Sequence, residues 1–238
     1  MTGFGYNING FGVSSVAGVD RAGSVLFSGE AVMSLGEVID FGANTAFCFE
    51  AWVYVTNLDE HGNIFSSWAS ASGYGGVLMH IDPDGKHFFG LNGNVLYGDG
   101  SEAVSLNTWT HYAVTRNAGS TIRHFVGGDE AGTSSSSAAA SGSTMYMGAN
   151  MDGGGDGSYR YHGYISNARI VVGEQVYTGD FTPATTPLTL TSQGVTSSNV
   201  KFLGCQSTTD FTANSTGTTV TAVAAADDDP EASSQSPF

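Results

Sequence analysis

The sequence predicts an all-β fold in which two antiparallel sheets pack face to face as a β-sandwich of the jelly-roll kind. Three observations carry this. Glycine is abundant, at 34 residues against 5 prolines, while the good helix formers Leu, Glu, Lys and Arg are scarce. Aromatic and β-branched runs recur every 8–15 residues, with turn residues and no helical period between them. One hairpin can be read residue by residue. At 238 residues the chain has room for one large all-β domain or two small ones.

The elements follow in order. Residues 1–23 are Gly-rich and irregular, and read as an N-terminal arm or attachment segment. GSVLFSG (23–29) and AVMSL (31–35) are short strands broken at Gly29-Glu30. TAFCFEAWVYV (45–55) is the clearest strand, and its lack of polar alternation makes it central, with both faces covered. GNIFSSW (62–68) is the next. VLMHIDPDGKHFFGL (77–91) is the readable hairpin. Pro83 presets the first corner and Gly85 takes the left-handed position. Pairing Asp82 with Lys86 puts Ile81 opposite His87, Met79 opposite Phe89 and Val77 opposite Leu91 on an apolar face. His80 and Phe88 fall on the other face, which is expected to meet solvent.

VLYG (95–98) follows an Asn92-Gly93 turn. TWTHYAVTR (108–116) and TIRHFVGG (121–128) form a second hairpin. The Ser/Ala/Gly tract at 129–142 reads as a flexible surface loop or an edge. STMYMGA (143–149) is a strand, MDGGGDGS (151–158) a loop, and 159–173 one long strand or two broken at Gly163. NVKFLGCQ (199–206) is the last strong strand. The sandwich therefore spans 24–206. Residues 207–238 form an acidic extension, partly packed on it, with 218–223 as a weak strand.

Net charge is −15, from 22 acidic and seven basic residues. This excludes the basic footprint of a nucleic-acid binder and disfavours anionic membrane surfaces. No apolar stretch approaches the ~20 residues of a membrane span. MTGFGYNINGFGVSS lacks the basic and apolar regions of a secretory signal, so synthesis in a cytoplasm is expected. Cys48 and Cys205 sit in apolar runs, either as free buried thiols or as one inter-strand disulfide.

Three phrases carry a resemblance. FCFEAWVY (47–54) resembles F-T-I-E-A-W-V-Y, WTHYAVTR (109–116) resembles W-H-x-A-V-x-R, and GYISNARIVVGEQVYTGDFTP (163–183) resembles G-x-I-S-N-x-R-I-V-x-G-x-x-x-Y-x-x-x-F-T-P. These are similar to the laminin G-like, concanavalin A-like jelly rolls found in marine phages that infect cyanobacteria. The likeness covers about residues 24–238. In the closing phrase, Ile165, Ala168, Ile170 and Val172, with Tyr177 and Phe181, are expected to fill the core, and Asn167 and Arg169 to make the polar contacts. The resemblance implies a virion protein of a tailed phage. It would sit on the particle surface as a head decoration or a small appendage or fibre component, as a symmetric homo-oligomer contacting other capsid, tail or fibre proteins and host surface polysaccharide. The alternative is a carbohydrate-binding adhesin not tied to the capsid.

The chemistry expected is binding, not catalysis. The family's glucanases carry two acids in an E-x-D-x-x-E strand. Here Glu50 stands alone and Asp59-Glu60 lie in a turn, so no enzyme is expected. Glycine clusters lack the Lys and helix of a phosphate loop. The histidines at 61, 80, 87, 111, 124 and 162 are scattered, and His80 and His87 face opposite ways, which makes them poor joint ligands for a metal. No cofactor is required. Laminin G-like domains often hold a rim Ca²⁺, and Asn150, Asp152 and Asp156 are the candidate ligands. Tyr74, Tyr97, Tyr159 and Tyr161 are the candidate glycan-contacting rim.

Overall fold

The computed structural model describes residues 21–68, 75–97, 102–141, 144–151, 157–223 and 226–238. Most of the expected arm, 1–20, lies outside the described residues.

The strands are β1 (Ser24–Ser28), β2 (Met33–Val38), β3 (Phe47–Val55), β4 (Gly62–Ser66), β5 (Val77–Ile81), β6 (His87–Leu91), β7 (Asn94–Tyr97), β8 (Trp109–Arg116), β9 (Thr121–Val126), β10 (Asp129–Ser135), β11 (Thr144–Met147), β12 (His162–Val172), β13 (Val200–Gly204), β14 (Thr221–Ala222) and β15 (Glu231–Ser233). They form an eight-stranded sheet, β10-β9-β8-β3-β12-β1-β15 with β13 also on β12, and a seven-stranded sheet, β14-β2-β11-β4-β5-β6-β7. The two sheets make the all-β sandwich expected. Residues 207–238 supply β14 to one sheet and β15 to the other.

The hairpin register stands as read. Val77, Met79 and Ile81 pair with Leu91, Phe89 and His87, and Asp82 N–H donates to the Lys86 carbonyl at 2.7 Å. The Ser/Ala/Gly tract resolves to the edge alternative, because β10 pairs along β9. Both cysteines are free and buried.

β3 is central, and it has two buried faces. Phe47, Phe49, Ala51, Val53 and Val55 point between the sheets. There Phe49 meets Phe47, Phe65 and Phe89 at ring separations of 5.5–5.9 Å. Cys48 and Glu50 point the other way, under a covering segment, 173–199, that packs Tyr177, Leu188 and Val195 against Phe125, Val171 and Leu203. The expectation for the closing phrase is corrected here. Ile165, Ala168 and Ile170 do fill the main core, with Val172 packed against it, but Tyr177 and Phe181 belong to this second layer on the outer face of the same sheet.

The three phrases meet at Glu50. Arg169, directly opposite on β12, donates from Nε to Glu50 Oε1 at 2.6 Å. His111 Nε2 (3.0 Å) and the Tyr177 hydroxyl (2.7 Å) donate to Oε2. Burial pushes the Glu50 carboxyl up, but Arg169, His111 and Tyr177 outweigh it and hold the group down at about 2. Arg169 also donates to the Ser192 carbonyl and to Gln193 Oε1, both at 3.0 Å, so one guanidinium pins the covering segment to the sheet. Arg116 closes the neighbouring loops. It donates to the carbonyls of Thr45 (2.9 Å) and Ala138 (2.5 Å) and lies 4.8 Å from the centre of the Phe47 ring.

Asn167 sits at a bulge between Ser166 and Arg169, where β12 changes partner from β1 to β13. Its φ is +51°, a conformation Asn tolerates better than most residues. Its side-chain oxygen accepts from Leu188 N–H (2.7 Å) and Gln206 Nε2 (2.6 Å).

Two variants test the ion pair. Arg169→Met leaves Glu50 charged and buried, and is expected to lose about 3–5 kcal/mol in urea unfolding. Glu50→Leu combined with Arg169→Met removes both charges and should recover part of that loss. A loss below about 1 kcal/mol in the single variant would show that the pair is not holding the sheet and its cover together.

Acid stability follows from buried histidines. Burial depresses His87 from 6.5 to about 4 and His124 to about 3, the latter helped by His87 itself. Buried His80 is lowered too. These groups are neutral in the fold but take up protons on unfolding below pH 6.5. Stability is therefore complete above that pH and falls on acidification, by on the order of 5 kcal/mol at pH 4. Glu50 titrates from 4.5 in the unfolded chain to about 2 in the fold, so its contribution is lost only below that window. Unfolding free energy measured between pH 7 and 4.5 should decline, and less steeply in His124→Gln. A flat profile would contradict the buried neutral histidines.

Candidate functional site

The outer face of the seven-stranded sheet holds a pocket among the described residues. β5 and β6 present Leu78, His80 and Phe88 on that face, since their alternate residues enter the main core. The sequence reading placed His80 and Phe88 in solvent. Instead both are buried, at 2% and 6% exposure, with their rings stacked on each other and Tyr159 packed against His80. The result is a pocket of about 370 Å³, lined by His61, Trp68, Leu78, His80, Asp82, Phe88 and Tyr159.

Each wall has a local cause. Phe88 and His80 are cross-strand neighbours, and their rings stack at 4.1 Å and 8°. Trp68 follows β4 and its indole lies across β6, where Gly90 makes room; a Cβ there would fall 2.5 Å from Trp68 Cζ3. Tyr159 adopts φ +57°, a strained conformation for an aromatic residue. Its carbonyl accepts from Asn63 N–H of β4 at 2.9 Å. Its ring packs at 4.6 Å against His61 and at 5.1 Å against His80.

The polar floor is a carboxylate shared by two imidazoles. Asp82 Oδ1 accepts from His61 Nδ1 at 2.8 Å and from His80 Nε2 at 2.7 Å. Burial raises the Asp82 carboxyl, but the bonds from His80 and His61 prevail and its pKa lies below the usual range. His80 is depressed by burial, partly offset by Asp82. A carboxylate accepts only, so both rings donate to it. That leaves His80 Nδ1 buried and without a partner. Asp82 also remains the turn residue the sequence indicated.

The other expected site residues are placed as follows. Tyr159 is in the pocket. Tyr161 is fully buried, which corrects its reading as a rim residue. Its backbone N–H donates to the Gly148 carbonyl at 2.8 Å, and its ring slots beneath Gly62 and edge-on to Phe27 at 6.1 Å. Tyr97 pairs with Phe88 on β7, but its side chain lies outside the described residues, as does Tyr74. Asp152 and Asp156 of the expected calcium loop also lie outside them. Asn150 is buried at 4% exposure, and its side-chain oxygen accepts from the Ser66 hydroxyl at 2.7 Å, within the fold. His61, Trp68, His80, Asp82 and Phe88 were not foreseen as a site. Residues 61, 68, 80–82 and 159 meet only through sheet pairing, and no local spacing announces it.

A second cleft of about 610 Å³ lies on the outer face of the other sheet, lined by Trp52, Trp109, His111, Pro183 and Phe238 among others. No Asp or Glu side chain lines it, and His111 is committed to Glu50.

Comparisons with known proteins agree with the geometry. Among curated proteins, none matches the chain. A solved putative carbohydrate binding protein from Bacteroides ovatus superposes with a TM-score of 0.58 at 15% identity, covering 90% of this chain. The chain spans 62% of the length of that protein. A heptameric SAP-like pentraxin from Limulus polyphemus matches with a TM-score of 0.49 at 16% identity, over 63% of this chain and 76% of its own. The family model described as the concanavalin A-like lectin/glucanases superfamily matches residues 27–176, more than half of the chain. The chain therefore belongs to the concanavalin A-like lectin/glucanase superfamily.

Proposed function

We propose that this chain is a non-enzymatic, carbohydrate-binding sandwich displayed on the surface of a tailed-phage particle, and that it contacts host polysaccharide through the pocket around Asp82. The observation that carries the sugar reading is the pairing of aromatic faces with a charged acceptor. Sugar rings offer C–H faces to aromatic side chains and hydroxyls to hydrogen-bonding groups. Tyr159, Trp68 and Phe88 supply the first; Asp82 and half-exposed His61 supply the second. The buried Glu50, saturated by Arg169, His111 and Tyr177, takes no part. The particle reading is supported by the likeness of the three phrases to marine phage proteins. The partners would be capsid, tail or fibre proteins, in a homo-oligomer, with no cofactor required. An adhesin free of the capsid would use the same pocket.

Two measurements test this. On an array of bacterial surface polysaccharides the full chain should bind a defined subset. Tyr159→Ala and Gly90→Ala (which displaces Trp68) should each weaken that binding about tenfold, or about 1.4 kcal/mol, while keeping a cooperative thermal transition. Unaltered binding in both variants would move the sugar site elsewhere, and silence across the array would leave the sandwich a purely structural part. Cryo-electron microscopy of purified virions from the source phage should show two-sheet density on the capsid or tail. Its absence from the particle would sink the virion half and favour the free adhesin.

A further inference from the structure

We infer that His61 Nδ1, His80 Nε2 and Asp82 Oδ1 form a binding site for a divalent transition-metal ion of the zinc type. Three ligand atoms of the right kinds converge from the start of β4, from β5 and from the following turn, all within 4.8 Å of one another. Two imidazole nitrogens and one carboxylate form a donor set that suits zinc, cobalt or nickel and not calcium or magnesium, which prefer oxygen. A tetrahedral zinc with ligands at about 2.0–2.1 Å needs neighbouring ligand atoms about 3.3 Å apart. The present contacts of 2.7 and 2.8 Å need to open by about half an ångström, and the two imidazole nitrogens, which lie within 4.8 Å of each other, need to close to that spacing. His61, with its side chain 38% exposed, can supply that movement and an entry path. His80 is the fixed ligand, its ring held flat against Phe88 and flanked by Tyr159. The pocket beside the three atoms leaves room for a water or a ligand hydroxyl in a fourth position.

The proton balance is simple. With both rings taken as neutral, each donates its single N–H to Asp82. On metal binding that proton passes to the other ring nitrogen, Nε2 of His61 and Nδ1 of His80, and the freed lone pairs meet the ion. No net proton leaves. His80 Nδ1 is the buried nitrogen without a partner, so this tautomer change breaks no existing hydrogen bond at that atom. The ion would replace the two hydrogen bonds that now hold the three side chains together.

Zinc titration calorimetry on the chelator-stripped full chain tests this without any sugar, so its outcome is separate from that of the glycan reading. One zinc should bind per chain, with a dissociation constant of about 10 µM or lower, undisturbed by excess calcium. His61→Gln, at a half-exposed position, should weaken zinc at least tenfold, and His162→Gln should leave it unchanged. Cobalt should give the intense visible absorption of a four-coordinate ion in the native chain and lose it in His61→Gln. No saturable zinc binding up to about 1 mM, or an affinity unchanged by His61→Gln, would overturn the site.

Discussion

The ion pair between Glu50 and Arg169 is the constraint on which the rest of this sandwich depends. A carboxylate at the centre of a sheet, fully removed from water, is tolerated only when its charge and its lone pairs are met. Arg169 meets the charge from the adjacent strand, and His111 and Tyr177 meet the remaining lone pairs. The guanidinium then has donors left over. These reach Ser192 and Gln193 and fasten the segment that keeps water away from the pair. The arrangement is circular: the cover keeps the pair dry, and the pair holds the cover. Buried ion pairs often add little net stability, but breaking one is expensive. The four residues are therefore interdependent, and a change at one exposes the others.

That interdependence explains what the sequence made legible. The three phrases that carry the family resemblance are the three chain segments that supply Glu50, His111 and Arg169 with Tyr177. Asn167 and Arg116 in the same phrases have comparable tasks, at a bulge and under two loops. Such residues sit in strands with strong local patterns, so both the strands and the hairpin register of 77–91 could be read from period and turn chemistry. Two expectations failed for the same reason. Tyr177 and Phe181 were assigned to the main core, and His80 and Phe88 to solvent, because alternation gives the side of a strand but not what lies against it. A sheet in a sandwich has an outer face as well, and here parts of both outer faces are covered.

The pocket was illegible for a further reason. Its residues are far apart in sequence, and each has an innocuous local explanation. Asp82 makes a turn, His80 alternates along a strand, Trp68 ends one, and Tyr159 follows a glycine-rich loop. Only the pairing of β4 with β5, and the return of the chain to Asn63 through the Tyr159 carbonyl, brings them together. Tyr161 misled because a tyrosine two residues from the rim looks equivalent to one on it. Its ring turns into the core instead, beneath Gly62 and against Phe27. Among the described residues, the structural cue to function is backbone strain: an aromatic residue is held at positive φ where its ring closes a pocket.

The two carboxylates show how one fold separates scaffold from site. Glu50 and Asp82 both lie next to histidine, on opposite sheets. Glu50 is matched by a full positive charge and a tyrosine hydroxyl, beneath a packed segment; nothing further can approach it. Asp82 is held by two imidazoles on one oxygen, partly exposed, beside a cavity with aromatic walls. An imidazole held neutral by burial, as His80 is, satisfies a carboxylate's hydrogen bond without cancelling its charge. The residual negative charge at Asp82 can therefore be offered to a cation or to hydroxyl donors, whereas that at Glu50 cannot. On the outer face of the eight-stranded sheet the carboxylate is closed in by its own cover, whereas on the seven-stranded sheet Asp82 stands beside a cavity. The chemistry available there is set by what two histidines leave unfinished.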